Sequence, residues 1–506
     1  MTKIMFKNYT TNDNLLLPPT LGDFIEEKDP VRVINRIIES VDLKLLLEKY
    51  PGGGCPAYHP RMMLKLLVYA YMRNIYSSRR IEEFGRNDIR FMWLIGMNCP
   101  DHNTINRFRH GNLKEALRNI FAQVVEFMVK EKLVSLDTVY TDGTKIESAA
   151  NRYTFVWGKA MQTSIGRIAD QVNELWAYAE SVTKQELMDT ASVTYQDVTP
   201  EKVVELVERI EQALDGVEAD KKVIQKLRYA KKNWPQTLQR YDEQEKMLDG
   251  RNSYSKTDKD ATFMRMKEDH MLNGQLKPAY NVQISTNEQF ITNYTIHQSS
   301  TDTGTYKQHM DTFKEMYGTY PHTAVADAGY GSEENYVYAQ EKGMETFIKY
   351  NYFHKEQSKN WKNDPFRSSH FHYNPEQNCF YCPMGQAMRH IGDRKQKTTS
   401  GFEQTISRYQ AQNCEGCPLR GSCHQSSGDR IIDVNHNLNK LRNREREKLM
   451  SEEGLRHRSQ RPQDVEATFG NLKSNKGFKR FHLRGLKNVE TEFGLLAMAH
   501  NLAKIA

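Results

Sequence analysis

The sequence predicts an α/β protein: a mixed β-sheet flanked by helices, with an all-α N-terminal domain, a helical insertion and a small cysteine-rich insertion. Two observations predict the sheet. Short runs rich in apolar, β-branched and aromatic residues, which are typical of strands, occur near positions 134–140, 278–284, 290–297, 323–326 and 345–349. Segments with helical signals separate several of these runs, and this alternation is typical of a sheet with helices on both sides.

The first 132 residues are predicted to form a helical domain that follows an extended arm of about 20 residues. The densest apolar run, residues 60–74, predicts a buried helix. Asn103 is a plausible N-cap for a later short helix that carries Arg107 and Arg109 on its polar side. Successive short helices with a basic last member resemble a helix-turn-helix array, which would contact DNA. The alternative is a helical bundle with ordinary solvated arginines.

Residues 161–251 are predicted to form a helical insertion, because they contain few strand signals and many Glu, Lys and Gln residues. Thr199 and Pro200 mark the start of one helix, with Val203, Val207 and Ile210 on its apolar side. The charged faces of such helices indicate solvated surface. The alternative is a clamp on DNA or on a partner subunit.

Two aspartates occur where core strands are predicted to end. One strand runs into Asp142-Gly143, and another ends at Asp327, with Gly329 two residues later. An isolated carboxylate is costly to bury, whereas a divalent cation beside it removes that cost. For Asp142 taken alone, the alternative is an ordinary Asp-Gly turn.

A third carboxylate, Glu466, lies on a predicted helix with Pro462 in its first turn. Val465, Phe469 and Leu472 have the spacing of a buried stripe, which places Glu466 beside it at the edge of the core. Three carboxylates from two strand ends and a helix supply the hard oxygen ligands that Mg²⁺ prefers. Other acids lie outside any strand-end setting and are not assigned to this site: Asp258, Asp260 and Asp269.

Cysteine spacing predicts a second metal site within residues 352–435. Two C-x-x-C pairs and one later cysteine occur there: Cys379, Cys382, Cys414, Cys417 and Cys423. Two thiolate pairs can surround Zn²⁺ tetrahedrally, so structural zinc is the first interpretation. The alternatives are an iron–sulfur cluster that uses Cys417 and Cys423, and thiol hairpins without a metal. Cys55 and Cys99 are interpreted as buried thiols.

Charge favours a nucleic-acid partner. The 506 residues carry a net charge of +7, and cations interleaved with Phe478 and Phe481 follow Glu466: Lys473, Lys476, Lys479, Arg480 and Arg484. Cations beside a metal site suit a phosphate-backbone substrate, and a solvated charged helix is the alternative. The sequence has neither an apolar run of membrane-spanning length nor a signal peptide, which predicts a cytoplasmic protein.

The settings of the three acids resemble those of one family. They read Thr-Asp142-Gly-Thr-Lys, Ala-Asp327-Ala-Gly-Tyr and Val-Glu466-Ala-Thr-Phe-Gly-x-Leu-Lys, and this order resembles the DDE transposases of bacterial insertion sequences. The resemblance covers nearly the whole chain, including the segments that begin at Ala57 and Lys277.

The chain departs from that family before the glutamate. Many relatives place a tyrosine seven residues and an arginine four residues before it, where this chain has Ser459 and Pro462. The later basic residue is kept as Lys473. Arg458 and Arg461 are the candidates for the role of the missing arginine.

The resemblance implies a ribonuclease H-like catalytic core in three parts: residues 133–160, 252–351 and 436–506. It further implies that Asp142, Asp327 and Glu466 hold Mg²⁺ or Mn²⁺ and catalyse strand cleavage and strand transfer at the ends of an insertion sequence. The implied partners are double-stranded DNA and a second copy of the chain, in the bacterial cytoplasm at the nucleoid. The alternatives are a catalytically inactive DNA-binding remnant or repressor with the same fold, a simple metal-dependent nuclease, and a scaffold organised by a structural metal.

Overall fold

The computed structural model describes residues 20–50, 57–183, 199–217, 219–266 and 274–506. Features interpreted from the sequence that lie outside the described residues are the arm up to residue 19, Cys55 and Asp269. Helices fill the described N-terminal part: α1 (Pro30–Ser40), α2 (Lys44–Leu47), α3 (Pro60–Met72), α4 (Ser78–Asn87), α5 (Ile89–Leu94), α6 (His102–His110) and α7 (Leu113–Lys130).

Side-chain caps begin these helices where the sequence offers them. Asp29 accepts a hydrogen bond from the backbone N of Val31 at 3.0 Å, and Pro30 occupies the first position of α1, where its missing N–H costs nothing. Helix α6 begins earlier than predicted, because Asp101 rather than Asn103 caps it. The side chain of Asp101 accepts from the backbone N of Thr104 at 2.6 Å.

The predicted mixed sheet is confirmed. Its strands are β1 (Thr138–Glu147), β4 (Thr262–Arg265), β5 (Leu276–Asn287), β6 (Phe290–His297), β7 (Thr323–Ala326) and β8 (Glu345–Ile348). The order is β4-β5-β1-β7-β8, with β6 also paired to β5. Strands β1, β5 and β6 are antiparallel neighbours, whereas β7 and β8 run parallel to β1. This topology is consistent with a ribonuclease H-like fold.

The helical insertion is confirmed. It contains α8 (Gly158–Thr183), α9 (Pro200–Ala213) and α10 (Lys221–Leu248), and Thr199 caps α9 as predicted. The short strands β2 (Phe155–Trp157) and β3 (Ser253–Ser255) pair at its base. Val207, Leu227 and Trp234 belong to a hydrophobic core of its own, so the insertion folds around its own apolar residues.

The cysteine-rich insertion is built on a sheet that was not predicted from the sequence. Its antiparallel strands are β9 (His372–Asn374), β10 (Cys379–Tyr381), β11 (Ala387–Lys397), β12 (Glu403–Ala411) and β13 (Ile431–Val434). Phe380, Met388 and Tyr409 form part of its small core.

The remaining helices are α11 (Tyr306–Tyr317), α12 (Glu333–Glu341), α13 (Lys359–Lys362), α14 (Arg420–Cys423), α15 (His436–Met450), α16 (Glu452–Arg461), α17 (Ala467–Gly470) and α18 (Leu486–Ile505). Helix α18 is buried on all sides from Thr491 to Asn501 and packs against β6, α3 and α7. Residues of the N-terminal helices and of the sheet therefore share one hydrophobic core. The predicted boundary at residue 132 does not separate two cores.

Buried histidines lie beneath the sheet and should make the fold sensitive to acid. Ser285 Oγ and Thr295 Oγ1 each lie 2.8 Å from a ring nitrogen of His309, and Thr295 Oγ1 lies 2.7 Å from His297 Nε2. Burial lowers the pKa of His297 to about 4 and that of His309 well below its ordinary value. Both imidazoles are therefore neutral in the folded protein.

We expect stability to fall as the pH drops from about 6.5 towards 4, because the unfolded chain then binds protons that the folded chain excludes. Each histidine contributes up to about 1.4 kcal/mol per pH unit in this window. Urea denaturation of wild type and His297→Gln at several pH values measures the effect, and the variant should show a flatter pH dependence. The matched control is His372→Gln, which changes an exposed histidine. Equal slopes for wild type and His297→Gln would contradict the prediction.

Candidate active site

Parallel pairing of β1 with β7 sets two acids side by side. The last paired residues are Thr141 and Ala326, and Asp142 and Asp327 follow them directly. Strand β7 ends there, as predicted. Strand β1 continues to Glu147, because β5 pairs with it beyond that point. Asp142 therefore lies inside a strand, and its predicted position at a strand end is wrong.

Local hydrogen bonds orient both carboxylates. Asp142 Oδ1 accepts from the backbone N of Gly143 at 2.9 Å. Asp327 Oδ1 accepts from the backbone N of Gly329 at 2.8 Å and so caps the short 3₁₀ turn Ala328–Tyr330. Asp142 is 8% exposed, whereas the Asp327 side chain is 37% exposed. Asp327 is thus the more accessible of the two to a ligand.

The helix that carries Glu466 does not begin at Pro462, contrary to the prediction. Helix α16 runs directly into a π-helical turn, Pro462–Glu466, which continues into α17 and then a second π-helical turn, Asn471–Asn475. The buried stripe is confirmed, and its members are Val465, Phe469 and Leu472. The side chain of Glu466 is half exposed beside that stripe. A π turn is rare and is frequently found at functional sites.

A single guanidinium brings the three acids together. Arg461 is 5% exposed, and its Nη1 donates to Glu466 Oε1 at 2.7 Å. Its Nη2 lies 3.1 Å from Asp142 Oδ1 and 3.9 Å from Asp327 Oδ2. We name Asp142, Asp327 and Glu466 the acid cluster. The predicted convergence of these three carboxylates is observed, around a cation of the chain itself.

Arg461, and not Arg458, is the arginine that contacts the acid cluster. Arg458 donates to the backbone O of Leu449 at 3.1 Å, and its guanidinium lies over the ring of Phe353. The sequence analysis left these two arginines as alternatives, because neither stands at the spacing seen in relatives. Lys349 is a further nearby cation: its pKa is lowered by burial first and then by Arg461 and Arg458, and Asp327 and Glu466 oppose that shift.

A polar network supports Asp142 from behind. The Gln283 side-chain amide donates to Asp302 Oδ1 at 2.9 Å, Asn281 donates to the same oxygen at 2.8 Å, and the buried Tyr330 hydroxyl donates to Gln283 Oε1. A Cβ at Gly143 would lie 2.4 Å from Gln283 Nε2 and 2.6 Å from Asp302 Oδ1. Glycine next to Asp142 leaves room for these side-chain ends, which a Cβ would push aside. Asp302 lies in the segment before α11, which begins at Tyr306.

Gly143→Ala should therefore displace the Gln283–Asp302 pair and shift the strand that carries Asp142. We expect a loss of about 1–3 kcal/mol of unfolding free energy, the range for overpacking a well-packed site. Urea denaturation measures it. Gly166→Ala on α8 is the control, because a Cβ there meets nothing within 4 Å and alanine favours a helix. A Gly143→Ala protein as stable as wild type would contradict the packing argument.

The donor set of the acid cluster fits a divalent cation. Three carboxylates from separate elements reach one positive group, and oxygen donors suit Mg²⁺ or Mn²⁺. Among the described residues, no three His, Cys, Asp or Glu side chains are arranged to hold a metal ion, because the carboxylates are arranged around Arg461 instead. When bound at this cluster, divalent cations would supply positive charge that activates an attacking oxygen and stabilises a leaving oxygen.

The cysteines do not form the predicted zinc site. Four of them line one cavity of about 20 Å³: Cys382, Cys414, Cys417 and Cys423. Cys379 is buried on β10, with its thiol 3.8 Å from Gln377 Oε1, so the first C-x-x-C pair does not converge. The Cys423 thiol instead accepts from Arg430 Nη1 at 2.7 Å. No metal-holding arrangement exists among the described cysteines, and neither zinc nor an iron–sulfur cluster is supported.

Arg109 is a correction to the predicted DNA-binding residues. It is 3% exposed, and its guanidinium donates to the Tyr71 hydroxyl at 3.1 Å, the Tyr76 backbone O at 3.0 Å and the Asn106 side chain at 2.9 Å. A buried guanidinium with these partners holds α6 against α3 and cannot reach a phosphate. Arg107, two residues earlier, is exposed.

The basic segment after Glu466 is seated against the core, and two of its arginines contact other parts of the protein. Phe478 and Phe481 are buried and seat the segment. Arg480 donates to the backbone O of Ser148 and Ala150, both at 2.9 Å. Arg484 donates to the backbone O of Ala149 at 3.0 Å. These two arginines therefore hold the loop after β1 while they remain exposed, as Lys479 is.

The two segments predicted to contact DNA meet at one cleft of about 470 Å³. Asn106 and His110 line it from α6, and His482 and Arg484 line it from the C-terminal segment. The Tyr76 hydroxyl joins the two sides by donating to the backbone O of Lys476 at 2.8 Å. No local sequence pattern shows that these two segments pack together.

Two family models match separate parts of the chain. Residues 381–506 match the family model described as "Transposase DDE domain", and residues 19–111 match the model described as "Transposase domain (DUF772)". These two matches, at opposite ends of the chain, support a DDE-type insertion-sequence transposase and confirm the resemblance found in the sequence. No curated protein and no solved structure matches the chain.

Proposed function

We propose that this protein is a transposase that cleaves DNA strands at the ends of an insertion sequence and joins those ends to target DNA, with Mg²⁺ or Mn²⁺ held by Asp142, Asp327 and Glu466. The observation that carries the proposal is the convergence of these three carboxylates on the guanidinium of Arg461. Acids on two adjacent strands and one helix would be strongly repulsive without a cation. A metal-dependent reaction at phosphate would explain why three carboxylates lie together here.

We assign different roles in the proposed reaction to different residues. Asp142 and Asp327 are fixed by backbone hydrogen bonds, so they offer oxygens in a set orientation. The side chain of Glu466 is more exposed than those of the two aspartates and lies on a helix, so it can adjust its position when the substrate binds. Three lysines come after Glu466 in the sequence: Lys473, Lys476 and Lys479. We assign them to contacts with DNA phosphates near the cleaved bond. Phosphate contacts position DNA without reading its sequence.

DNA would enter along the cleft between α6 and the C-terminal segment. Arg107 is an exposed arginine of α6, and we assign it to recognition of the element ends. None of the described helices is long and apolar enough to cross a membrane. We further propose, from the family resemblance, that a homodimer acts on paired ends, at the nucleoid in the bacterial cytoplasm.

The test is a reaction of purified protein with DNA that carries the ends of the element and a target plasmid. We expect nicked ends and joined products with Mg²⁺ or Mn²⁺, and neither with a chelator. Cleavage without joined products would favour the simple nuclease. Binding to the ends without cleavage at any metal concentration would favour the inactive remnant or repressor.

A further inference from the structure

Arg461 occupies the centre of the acid cluster. Its guanidinium approaches one oxygen of each of the three carboxylates, and the side chain is almost fully buried. Its Nε has no hydrogen-bond partner among the described residues. A buried guanidinium with an unsatisfied N–H is costly, so its place is explained by the charge of the acids and not by complete hydrogen bonding.

The wide π-helical turn brings Arg461 to this place. In a regular α-helix the residue one turn before Glu466 is position 462, which is a proline without a cationic side chain. The turn Pro462–Glu466 is π-helical, and a π turn brings residues five apart into one turn. Arg461 stands five residues before Glu466, so the turn lines up its guanidinium with the glutamate.

Arg461 and divalent cations need the same carboxylate oxygens. The acid cluster carries three negative charges, and one guanidinium balances only one of them. A guanidinium and a divalent cation that approach the same oxygens repel each other. Binding of a divalent cation would therefore weaken the hold of the carboxylates on Arg461.

We propose that Arg461 is a built-in counter-cation that competes with divalent metal for the acid cluster and is released by it towards a DNA phosphate. The part of the inference that concerns DNA, its DNA arm, rests on the proposed function. The part that concerns metal binding, its metal arm, can be tested without DNA. A phosphate is the acceptor that best suits a displaced arginine, because it takes the guanidinium in a bidentate pair. Metal binding and DNA binding then favour each other, and by linkage the effect is equal in both directions.

The metal arm is tested on the full-length protein without DNA. Binding of Mn²⁺ is followed by electron paramagnetic resonance of the free ion, in wild type and in Arg461→Gln. We expect Arg461→Gln to bind Mn²⁺ about tenfold more tightly, because a competing cation is removed. The matched control is Arg456→Gln on the same helix, whose side chain is 71% exposed and pairs only at 3.4 Å with Glu453. Unchanged or weaker Mn²⁺ binding by Arg461→Gln overturns the proposal.

Thermal melting with and without Mn²⁺ tests whether the Arg461→Gln variant is folded. Thermal melting in chelator should be lower for Arg461→Gln than for wild type, since the acids then repel each other, and Mn²⁺ should restore it. Arg461→Lys keeps the charge but not the fork that reaches three carboxylates, and it should show intermediate Mn²⁺ affinity. If Arg461→Gln cannot be purified folded even with Mn²⁺, Arg461→Lys decides: wild-type Mn²⁺ affinity in the lysine variant overturns the proposal.

The DNA arm is tested by comparing four Mn²⁺ affinities, from two proteins that are each measured with and without DNA. Mn²⁺ affinity is measured with and without a short DNA duplex of the element end, in wild type and in Arg461→Gln. DNA should raise the Mn²⁺ affinity of wild type severalfold and have a smaller effect on the variant. An equal effect of DNA on both proteins overturns the release step. These readouts do not depend on cleavage or joining, so failure of the proposed reaction would be seen separately, in the product assay.

Discussion

Asp142→Asn should reduce DNA cleavage by roughly a thousandfold or more, because the amide keeps the shape of the carboxylate but removes the charge that holds a divalent cation. Asp327→Asn and Glu466→Gln should have effects of the same order. The variants should keep their fold, since Asp142 and Asp327 each accept a short-range hydrogen bond from the backbone of a following glycine, and the amide oxygen of asparagine can still accept it. Cleavage of labelled end DNA in Mg²⁺ and in Mn²⁺ measures the effect.

The control is Asp311→Asn on α11. Asp311 accepts hydrogen bonds from the hydroxyl groups of Tyr320 and Tyr338 at 2.7 and 2.6 Å and lies outside the acid cluster. It should leave cleavage unchanged at a temperature where the variant is folded. DNA binding, measured with the same duplexes in chelator, should survive in all four variants. Wild-type cleavage by any one of the cluster variants would remove that residue from the site.

The acids were found from the sequence because strand and helix patterns are local. Asp327 follows a short apolar run, and the stripe of Val465, Phe469 and Leu472 places Glu466 without knowledge of other elements. The position of Asp142 inside β1 depends on pairing with β5, which begins more than a hundred residues later. A local sequence pattern does not show how far β1 is extended by pairing with a strand that is distant in the sequence.

Arg109 and Arg461 show what a helical pattern cannot decide. On the helix surface Arg109 looks solvated, but Tyr71 and Tyr76 from other elements enclose its guanidinium. The role of Arg461 depends on a π turn, which shifts the helix by one residue and has no signature in a 3.6-residue period. The burial of Arg109 is set by the elements that pack against α6, and the choice of Arg461 over Arg458 is set by the π turn.

The missed sheet of the cysteine-rich insertion has a different cause. Strand β11 is mostly exposed along its length, and its sequence is rich in Arg, Lys and Gln, so it lacks the apolar alternation that predicts a strand. Its partner β12 is only partly buried. A small sheet with one thin core needs few apolar residues, and the cysteine spacing dominated the interpretation of that segment.

The second large effect concerns the cations that hold DNA. Neutralising Lys479 and Lys487 together, as Lys479→Gln with Lys487→Gln, should weaken binding to end DNA and random DNA alike. The two lysines are exposed on either side of the segment that enters α18, so they can reach phosphates. Each phosphate contact releases about one condensed counterion, and the slope of log affinity against log salt should flatten by about two units. Arg480 is left unchanged, because it holds the loop after β1.

Arg107→Gln should act on the other side of the cleft and cost mainly the preference for the end sequence. A residue that reads a base edge is worth about 1–3 kcal/mol, which is roughly tenfold to a hundredfold in that preference. Titrations at several salt concentrations on both DNAs separate the two effects. Lys246→Gln in the helical insertion is the control, since that exposed lysine pairs with Asp242, and a loss of binding there would favour the clamp interpretation of the insertion. If the double lysine variant erased end preference while sparing random DNA, the roles assigned to the two sides of the cleft would be reversed.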